Sequence, residues 1–398
     1  MIYTLFLWFY QVVIILAAKF GNIKAQKWLK GRSQWRKQLP NLPKNATLFH
    51  CASLGEFDQA VPVIQAWKQN FPEDLVVISF YSPSGMEHFH KRGVKIDAAC
   101  YLPLDTERNM EEFISILAPQ RIFLVKYEFW PNLIRQAKAK EIPIFSISTL
   151  LRSNQLYFKW YGVFFRNEMK KITHFFAQNQ ATEELLKSIS CSQVSVVGDT
   201  RYDTVLARKR KNIGDKKIED FMLNRQAIIL GSSWEREEDI LSQVIHKLEK
   251  ETFIIAPHEV TESTIKRLKK LFPEAVCYTD NEIDTSKNIL ILDTIGQLAN
   301  AYAHGWVAFI GGGFHGSLHN ILEPAVYGLP VCFGPKHTKF PEASVFLKNG
   351  FSSEIQTAED LVDFINEMKN EPQKKRENIE SFIQGEQGAA EKILKYFS

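Results

Sequence analysis

Short apolar segments alternate with longer amphipathic segments in two successive series along this chain of 398 residues. Apolar runs of a few residues are typical of buried strands, and the amphipathic stretches between them are typical of helices. Repeated strand–helix–strand units form parallel sheets that helices cover on both faces. The pattern therefore predicts an α/β protein with two Rossmann-like domains, and we expect a ligand-binding cleft where the two domains face each other.

The two series are separated by a charged, weakly apolar stretch. We expect residues 39–207 to form the first domain, residues 208–221 to connect the domains, residues 222–371 to form the second domain and residues 372–398 to form a C-terminal helix. The predicted strands are 46–51, 75–80, 121–125, 142–147, 174–177 and 193–197 in the first domain, and 227–230, 253–256, 275–278, 289–292, 307–310 and 331–333 in the second.

An uncharged apolar segment, residues 2–18, precedes a belt of cations. As a helix it is about 26 Å long, somewhat shorter than the roughly 30 Å hydrocarbon core of a bilayer. A cleaved signal peptide would carry its charges before the apolar run, whereas here they follow it. We expect residues 1–38 to be a retained membrane anchor that spans the bilayer or lies in its interface, with the rest of the chain on the cytoplasmic side. An ordinary amphipathic helix is the alternative, although no polar stripe interrupts residues 12–18.

The charge of the chain is concentrated at its beginning. The first 55 residues carry eight Lys or Arg and no Asp or Glu, although the whole chain has a net charge of only +4. The remainder is therefore net acidic, which argues against a nucleic-acid partner. The five cysteines are scattered without a CxxC pair, which fits a reducing cytosol and predicts no zinc site. We expect no metal or other cofactor. Because the α/β pattern starts only after residue 40, we also expect residues 1–38 to be separable from the folded body.

Three predicted strand-to-helix turns are rich in small residues: Ser53-Leu54-Gly55-Glu56, Gly231-Ser232-Ser233, and the turn that starts at Gly311-Gly312-Gly313. Small residues let backbone N–H groups approach a ligand, and a following helix N-terminus favours an anion. The three turns therefore predict a phosphorylated or carboxylated ligand. The third turn matches GxGxxG, but the next predicted strand ends without the acidic residue of a nicotinamide site, which disfavours that cofactor.

The third turn continues into His319, Asn320 and Glu323. Glu323 follows Asn320 by the three residues that are typical of a helix cap, and capping alone would explain Asn320. The alternative is that the Glu323 carboxylate binds the hydroxyls of a ribose.

Two carboxylates follow predicted strands of the first domain. Glu56 would complement the dipole of a helix that starts there, but its place after a strand equally suits a general base. Glu128 follows the strand at 121–125 and precedes Pro131, a residue typical of helix starts. A carboxylate at the end of a buried strand needs a partner or a function. The residues alone leave both interpretations of Glu56 open, and they leave open whether Glu128 has a partner or a function.

These segments together resemble the 3-deoxy-D-manno-oct-2-ulosonic acid (Kdo) transferases of Gram-negative bacteria, which build the inner core of lipopolysaccharide. The family's Ser-x-Gly-Glu turn and its Glu-Leu-Trp-Pro-Asn segment are matched by Ser53, Gly55 and Glu56 and by Glu128, Trp130, Pro131 and Asn132. Further along, the family's patterns are met or echoed at Gly198, Arg201, Tyr202 and Asp203, at Ser232, Ser233, Glu237 and Glu238, at Gly311, Gly312, His319, Asn320, Leu322 and Glu323, and at Gly334, Pro335 and Phe340. The matches follow the family's order over nearly the whole chain.

The resemblance implies an inverting GT-B glycosyltransferase with an N-terminal membrane-anchor helix. It would move Kdo from CMP-Kdo to a lipid A precursor at the cytoplasmic face of the bacterial inner membrane, next to the lipid surface. It implies that Glu56 and Glu128 are catalytic and that Ser53, Gly55 and Arg201 bind the acceptor. The implied donor-binding residues are Ser232, Ser233, Pro257, His258, Gly311, Gly312, Gly313, His319, Asn320, Glu323 and Lys336.

Three positions depart from the family pattern. Lys126 replaces the first Glu of its Glu-x-Glu pair, Trp234 replaces a His, and Pro257-His258 lacks the intervening Arg. A cation for the donor phosphate must then come from elsewhere, and the candidates are Lys336, Lys339 and Arg201. Two other functions remain open: a GT-B transferase that uses a UDP- or GDP-sugar with a lipid acceptor, and a non-catalytic lipid-binding membrane protein.

Overall fold

The structure is a computed structural model that describes residues 2–212 and 214–398. The chain divides into two compact units. The first comprises the described residues up to Thr204 together with Glu386–Ser398, and the second comprises Val205–Gly385. The prediction of two α/β domains with N-terminal helices is confirmed.

In the described part of the first unit, one parallel sheet has the order β3-β2-β1-β4-β5-β6-β7. Its buried apolar strands explain why both faces are covered by helices. The strands are β1 Thr47–Cys51, β2 Val76–Phe80, β3 Ala98–Tyr101, β4 Arg121–Val125, β5 Ile144–Thr149, β6 His174–Ala177 and β7 Val194–Val196.

The described part of the second unit repeats this architecture, with the order β10-β11-β9-β8-β12-β13-β14 and parallel neighbours throughout. Its strands are β8 Ala227–Ser233, β9 Thr252–Pro257, β10 Val276–Cys277, β11 Ile289–Ile291, β12 Gly305–Ile310, β13 Val331–Phe333 and β14 Ser352–Glu354.

Helices connect the strands of both sheets. They are α1 Ile2–Lys19, α2 Ile23–Ser33, α3 Trp35–Gln38, α4 Leu54–Asn70, α5 Pro83–His88, α6 Glu107–Leu117, α7 Pro131–Ala139, α8 Val163–Met169, α9 Gln180–Ser188, α10 Thr200–Lys211, α11 Lys216–Met222, α12 Glu235–Val244, α13 Glu262–Leu271, α14 Leu298–Ala301, α15 Leu322–Ala325, α16 Pro341–Lys348, α17 Ala358–Met368, α18 Pro372–Gly385 and α19 Ala389–Leu394. Short 3₁₀ turns lie at Leu39–Asn41, Phe89–Arg92, Leu156–Phe158, Trp160–Gly162, Ile245–Leu248 and Tyr302–His304.

Most differences from the prediction lie at the margins of the sheets. The prediction missed β3 and β14, which are edge strands, because their sequences are less apolar than those of the inner strands. The stretch 208–221 is largely helical, and residues 372–398 form two helices instead of one.

The N-terminal segment packs against the first unit. Trp35 and Leu39 belong to a buried core cluster of this unit. The Arg32 guanidinium is buried, donates hydrogen bonds to the backbone oxygens of Leu102 and Tyr81, and lies 4.0 Å from the centroid of the Trp28 ring. The expectation that residues 1–38 are separable from the folded body is therefore wrong, since their removal would uncover core side chains.

By length and composition, no single helix of the described chain would cross a bilayer. Tyr3–Lys19 and Ile23–Ser33 meet that test only as a pair, and they are bent by 119° relative to each other.

The last residues of the chain return to the first unit. Ile393 and Leu394 are buried in the cluster that contains Trp67, and the Phe397 ring lies edge-on to Trp67 with centroids 5.1 Å apart. The Asp203 carboxylate accepts hydrogen bonds from the backbone N–H groups of Gly388 at 2.6 Å and Ala390 at 2.9 Å. Asp203 thus caps α19 from a position nearly two hundred residues earlier in the chain.

Replacing Asp203 by Ala should destabilise the first unit, since it leaves two backbone donors at the start of α19 without their acceptor. We expect a loss of about 1–2 kcal/mol in the free energy of unfolding, the range of a lost helix cap. Urea unfolding followed by circular dichroism measures it. Lys392→Ala changes an exposed side chain of the same helix and should cost no more than about 0.5 kcal/mol. Equal effects of the two substitutions would contradict the capping role.

Candidate active site

The topology of the first sheet brings two turns together. The chain passes from β1 to β2 and β3 on one side and then crosses to β4 on the other side of β1. In open parallel sheets, ligands bind outside the carboxyl ends of the strands at such a switch point. The turn after β1 carries Glu56, and the turn after β4 carries Glu128.

Glu56 lies in the first turn of α4, where the sequence predicted a loop. The Ser53 hydroxyl caps this helix and accepts a hydrogen bond of 3.4 Å from the Glu56 N–H, and the Glu56 carboxylate accepts one from the N–H of Ala52. Ser53 therefore has a structural role that explains its presence. A side chain at Gly55 would meet no atom within 4 Å, so packing alone does not require glycine there.

Glu128 lies in a largely apolar setting between β4 and α7. Its carboxylate accepts a hydrogen bond of 3.0 Å from Nε1 of Trp130. Nε2 of the fully buried His50 lies 4.0 Å from the same carboxylate oxygen, and Nδ1 of His50 lies 2.9 Å from the Ser79 hydroxyl. Burial lowers the pKa of His50 to about 3. The imidazole beside Glu128 is therefore neutral near pH 7.

The two carboxyl groups are hydrogen-bonded to each other and titrate as a pair. Burial raises the pKa of Glu56. Burial and the charge of Glu56 raise the pKa of Glu128 to about 8. Near pH 7 Glu128 therefore keeps its proton, and its hydrogen bond to the Glu56 carboxylate lowers the pKa of Glu56 in opposition to burial. An ionised, partly desolvated Glu56 in this arrangement suits a general base.

Lys126 provides the nearby positive charge. It has a left-handed backbone conformation with φ of 67°, which is uncommon for residues other than glycine. Its charge lowers the pKa of both Glu56 and Glu128, in opposition to burial. The residue that departs from the family pattern thus makes ionisation of the pair easier.

A second buried carboxylate holds the turn that contains Glu128. Asp105 is fully buried and accepts hydrogen bonds from the backbone N–H groups of Asn132 at 3.0 Å and Leu133 at 2.8 Å, in the first turn of α7. It also accepts a hydrogen bond of 2.7 Å from the Tyr3 hydroxyl of α1. Burial raises the pKa of Asp105 to about 7. Helix α1 is thereby connected to the segment that presents Glu128.

In the second unit, the turns after β8 and β12 lie at the corresponding switch point. The buried Glu237 of α12 joins them, because its carboxylate accepts hydrogen bonds from the N–H groups of Gly312 at 2.8 Å and Trp234 at 3.2 Å. Its neighbour Glu238 accepts a hydrogen bond of 2.8 Å from the Ser233 hydroxyl. Ser232 has a left-handed backbone with φ of 52°.

Close backbone approach explains the glycines after β12. A Cβ atom at Gly311 would lie 2.1 Å from the backbone oxygen of Ser232, and one at Gly313 would lie 2.4 Å from the backbone nitrogen of Gly334. Gly312 has φ of 85°, which side chains disfavour. The absence of side chains at these three positions therefore lets the turn contact the backbone of Ser232 and Gly334. Packing and backbone conformation are enough to explain why glycine occurs there.

Aromatic rings line the same end of the second sheet. His258 follows Pro257, the last residue of β9. Its ring stacks on the Trp234 ring with centroids 4.5 Å apart, and its centroid lies 4.6 Å from that of the His319 ring. Burial and the neighbouring His258 lower the pKa of His319 to about 4. Next to this stack is a cavity of about 320 Å³ whose lining includes Trp234, His258, His315 and Arg267. The sequence did not point to Arg267, which places a positive charge at this cavity. The Arg that the family pattern has between Pro257 and His258 is missing from this chain.

The remaining predicted donor residues lie near this turn with local partners. Asn320 accepts a hydrogen bond of 3.1 Å from the N–H of Leu322, although Ile321, and not Asn320, is the N-cap residue of α15. The Glu323 carboxylate accepts a hydrogen bond of 3.0 Å from the Arg208 guanidinium. The Lys336 N–H donates to the Gly313 oxygen at 2.7 Å, and its side chain is exposed. Their contact with a donor stays a prediction.

Arg201, predicted to bind the acceptor, pairs with Asp199 through Nη2 at 2.6 Å. Its role stays a prediction. Across residues 2–212 and 214–398, no group of three or more His, Cys, Asp or Glu side chains is arranged to hold a metal ion.

Comparisons with known proteins bear on both units. The family model for 3-deoxy-D-manno-octulosonic-acid transferase (kdotransferase) matches residues 19–204, within the first unit. The 3-deoxy-D-manno-octulosonic acid transferase of Aquifex aeolicus is 25% identical over 334 residues, which are 82% of this chain and 86% of that protein. A bifunctional glycosyltransferase/methyltransferase of Fusobacterium nucleatum is 26% identical over 375 residues, which are 87% of this chain. The chain spans 56% of the length of the Fusobacterium protein.

Among solved structures, the UDP-GlcNAc 2-epimerase of Methanocaldococcus jannaschii superimposes with a TM-score of 0.59 at 14% identity, over 83% of this chain and 93% of that one. At this identity the likeness concerns the fold alone, which is the two-domain GT-B fold that the sequence predicted.

The raised pKa of Glu128 gives stability a pH dependence that Glu128→Gln should remove. In the folded wild type the proton is retained from the ordinary pKa of 4.5 up to about 8, so the stability of the folded state falls as the pH rises through this window and is level above it. The stability of Glu128→Gln relative to wild type should therefore increase by about 2 kcal/mol or more between pH 5 and pH 8.5, since one pKa unit corresponds to about 1.4 kcal/mol.

Urea unfolding at several pH values measures this difference. Glu107→Gln, which changes an exposed carboxylate of the same unit, serves as the matched control. A difference that does not vary with pH for Glu128→Gln would show that the Glu128 proton is not held by the fold.

Proposed function

We propose that this chain, which belongs to the family of 3-deoxy-D-manno-octulosonic-acid transferases, moves Kdo from CMP-Kdo to a lipid A precursor in the assembly of the lipopolysaccharide core. The observation that carries the proposal is the pair of Glu56 and Glu128. The two carboxyl groups meet at the switch point of the first sheet, inside the region that matches the family model, and they are hydrogen-bonded to each other.

In the proposed reaction an acceptor hydroxyl attacks the anomeric carbon of Kdo while the bond from that carbon to the CMP phosphate breaks. The stereochemistry at the anomeric carbon is inverted in this single displacement. Glu56 takes the proton of the attacking hydroxyl, and the hydrogen bond from protonated Glu128 keeps Glu56 ionised and oriented. The leaving CMP carries the electron pair of the broken bond.

The second unit is the proposed donor site. The N-terminus of α12 favours an anion, as the departing CMP phosphate requires. Backbone N–H groups of the turn after β12 do so too, except that of Gly312, which donates to Glu237. Arg267 borders the cavity beside His258, and its Nη2 lies 2.5 Å from the Glu238 carboxylate. This guanidinium can neutralise phosphate charge in place of the family's missing Arg. We propose that it contacts the donor together with His319 and Lys336.

The first unit is proposed to lie on the cytoplasmic face of the inner membrane through α1. Its inner face is packed on the domain, as Leu7 shows with 2% of its surface exposed, whereas its outer face is apolar and exposed. A helix with this division fits an in-plane position in the interface better than a span. The outer face comprises Leu5, Trp8, Phe9, Val12, Val13 and Leu16. Exposed cations follow at Lys19, Lys24 and Lys30, and they favour an anionic leaflet.

The transferase proposal is tested with purified protein, CMP-Kdo and a lipid A precursor in detergent, with product masses as the readout. Wild type should add the mass of Kdo. Glu56→Gln should lower turnover at least about a hundredfold, the usual effect of removing a general base. Protection against thermal unfolding by CMP should persist in this variant, because the donor site is proposed in the other unit.

CMP and UDP are compared in the same thermal assay. Greater protection by UDP, together with no Kdo transfer, would contradict the proposal in favour of a UDP-sugar donor. Near-normal turnover of Glu56→Gln would remove Glu56 from the mechanism and leave the donor assignment intact.

Charge reversal of Lys24 and Lys30 should weaken binding to anionic vesicles by at least about tenfold at low salt, because each cation near an anionic leaflet contributes about 1 kcal/mol. Co-sedimentation with vesicles measures binding. Reversal of Lys216 and Lys250, exposed cations of the second unit, makes the same change in net charge and is the matched control. Equal losses in the two double variants would show that net charge, and not the segment after α1, determines binding.

A further inference from the structure

A large apolar cavity lies within the first unit, beneath α1, and has a volume of about 970 Å³. Tyr3, Phe6, Leu7 and Tyr10 of α1 form one wall. They repeat at three- and four-residue intervals and therefore lie on one face of the helix. The opposite wall is the segment 156–165, which contributes Leu156 and Phe165 among other residues.

The floor of this cavity is the turn between β4 and α7. Glu128 and Trp130 are part of its lining, and Glu128 is the one acidic or basic amino acid among the described residues that line it. The remaining lining is aliphatic or aromatic, with tyrosine hydroxyls and the indole N–H of Trp130 as its other polar groups. The cavity therefore suits an apolar occupant whose polar end lies at Glu128.

The wall formed by α1 is fixed to the domain by directed contacts. The Tyr3 hydroxyl donates to buried Asp105 at 2.7 Å, and the Tyr3 ring lies 5.8 Å from the rings of both Phe164 and Phe165 on the opposite wall. A helix that served only as a membrane anchor would not need a hydrogen bond to the carboxylate that caps α7. Helix α1 is therefore built into the same site as Glu128.

The segment 156–165 separates this cavity from a polar one. On its other side a cavity of about 460 Å³ is lined by Lys159, Arg166 and Lys170. An amphiphile with an acidic head group and apolar chains would meet both kinds of surface within a short distance. This charge distribution favours an anionic lipid over a neutral apolar ligand.

We propose that the cavity beneath α1 binds an acyl chain of the acceptor lipid during transfer. The inference rests on the proposed function, since it takes Glu56 and Glu128 to be at the reacting hydroxyl. A sugar that presents its hydroxyl to this pair holds its attached acyl chain next to the part of the cavity that Glu128 lines. The volume lies at the upper end of the range of about 300–1,000 Å³ that is typical of ligand pockets, so the cavity has room for a long chain.

The kinetic test compares an acylated acceptor with its deacylated, water-soluble form, both in detergent so that membrane binding does not contribute. Phe6→Asp places a charge at the cavity wall and should lower kcat/KM for the acylated acceptor by about tenfold or more. For the deacylated acceptor it should change kcat/KM by less than about twofold. Leu156→Trp, which narrows the cavity from the opposite wall, should shift the preference in the same direction.

Phe9→Asp is the matched control. Phe6 is 59% exposed and Phe9 is 68% exposed on the same helix, but Phe9 does not line the cavity. Phe9→Asp should leave the ratio of the two kcat/KM values as in wild type. If Phe6→Asp impairs both acceptors equally, or if Phe9→Asp changes the ratio as much as Phe6→Asp, the cavity is not the acyl site.

A second measurement does not depend on transfer. A long-chain fatty acid with a terminal diazirine is photolysed with the full-length protein in micelles, and the labelled peptides are mapped by mass. Labels at 128–131 and 156–165 that decrease in Phe6→Asp support the proposal. Labels restricted to Leu5, Phe9 and Val13 would mean that chains cover only the outer face, and would overturn it. Labelling inside the cavity without any Kdo transfer by wild type would instead contradict the proposed function and leave the acyl site standing.

Discussion

The buried carboxylate of Asp105 joins the parts of the first unit on which its chemistry depends. A fully desolvated carboxylate must receive hydrogen bonds, and here they come from the backbone at the start of α7 and from Tyr3 of α1. The position of the turn before α7 sets the position of Glu128, and the position of α1 sets one wall of the apolar cavity. The burial of this one carboxylate therefore fixes helix α1 and the turn that carries Glu128 in one arrangement.

In both units, carboxylate side chains connect the two turns that meet at the switch point of the sheet. In the first unit, Glu56 lies in the turn after β1 and Glu128 lies in the turn after the neighbouring strand β4. Their carboxyl groups contact each other and can still gain or lose a proton. In the second unit Glu237 spans the two turns by accepting backbone N–H groups. The first arrangement leaves a carboxylate able to exchange a proton, whereas the second makes a rigid, glycine-lined surface for an anion. The division of roles that we propose for the two units rests on this difference in how a buried acid is satisfied.

The sequence predicted the inner strands closely, and Arg121–Val125, His174–Ala177 and Val331–Phe333 are correct to the residue. It missed the edge strands β3 and β14, since a strand with one neighbour needs little apolar character. Glu56 and Glu128 were identified as separate candidates, but their pairing depends on the order of strands in the sheet, which no local pattern reveals. Tyr3–Asp105, Glu237–Gly312 and the buried Arg32 were missed for the same reason, because each joins residues far apart in sequence. For His50 the sequence did contain one signal, which is a histidine inside a largely apolar strand.

The return of residues 386–398 to the first unit has a consequence for biosynthesis. Helix α19 and Phe397 complete the packing around Trp67, yet the ribosome produces them only after the whole of the second unit. At roughly 5–20 residues per second, the nascent first unit would wait some ten seconds or more with an aromatic face of its core uncovered. That face and the apolar side of α1 are both exposed during this interval. Early contact of α1 with a lipid surface, or a chaperone that shields the Trp67 region, would keep the unfinished domain from aggregating.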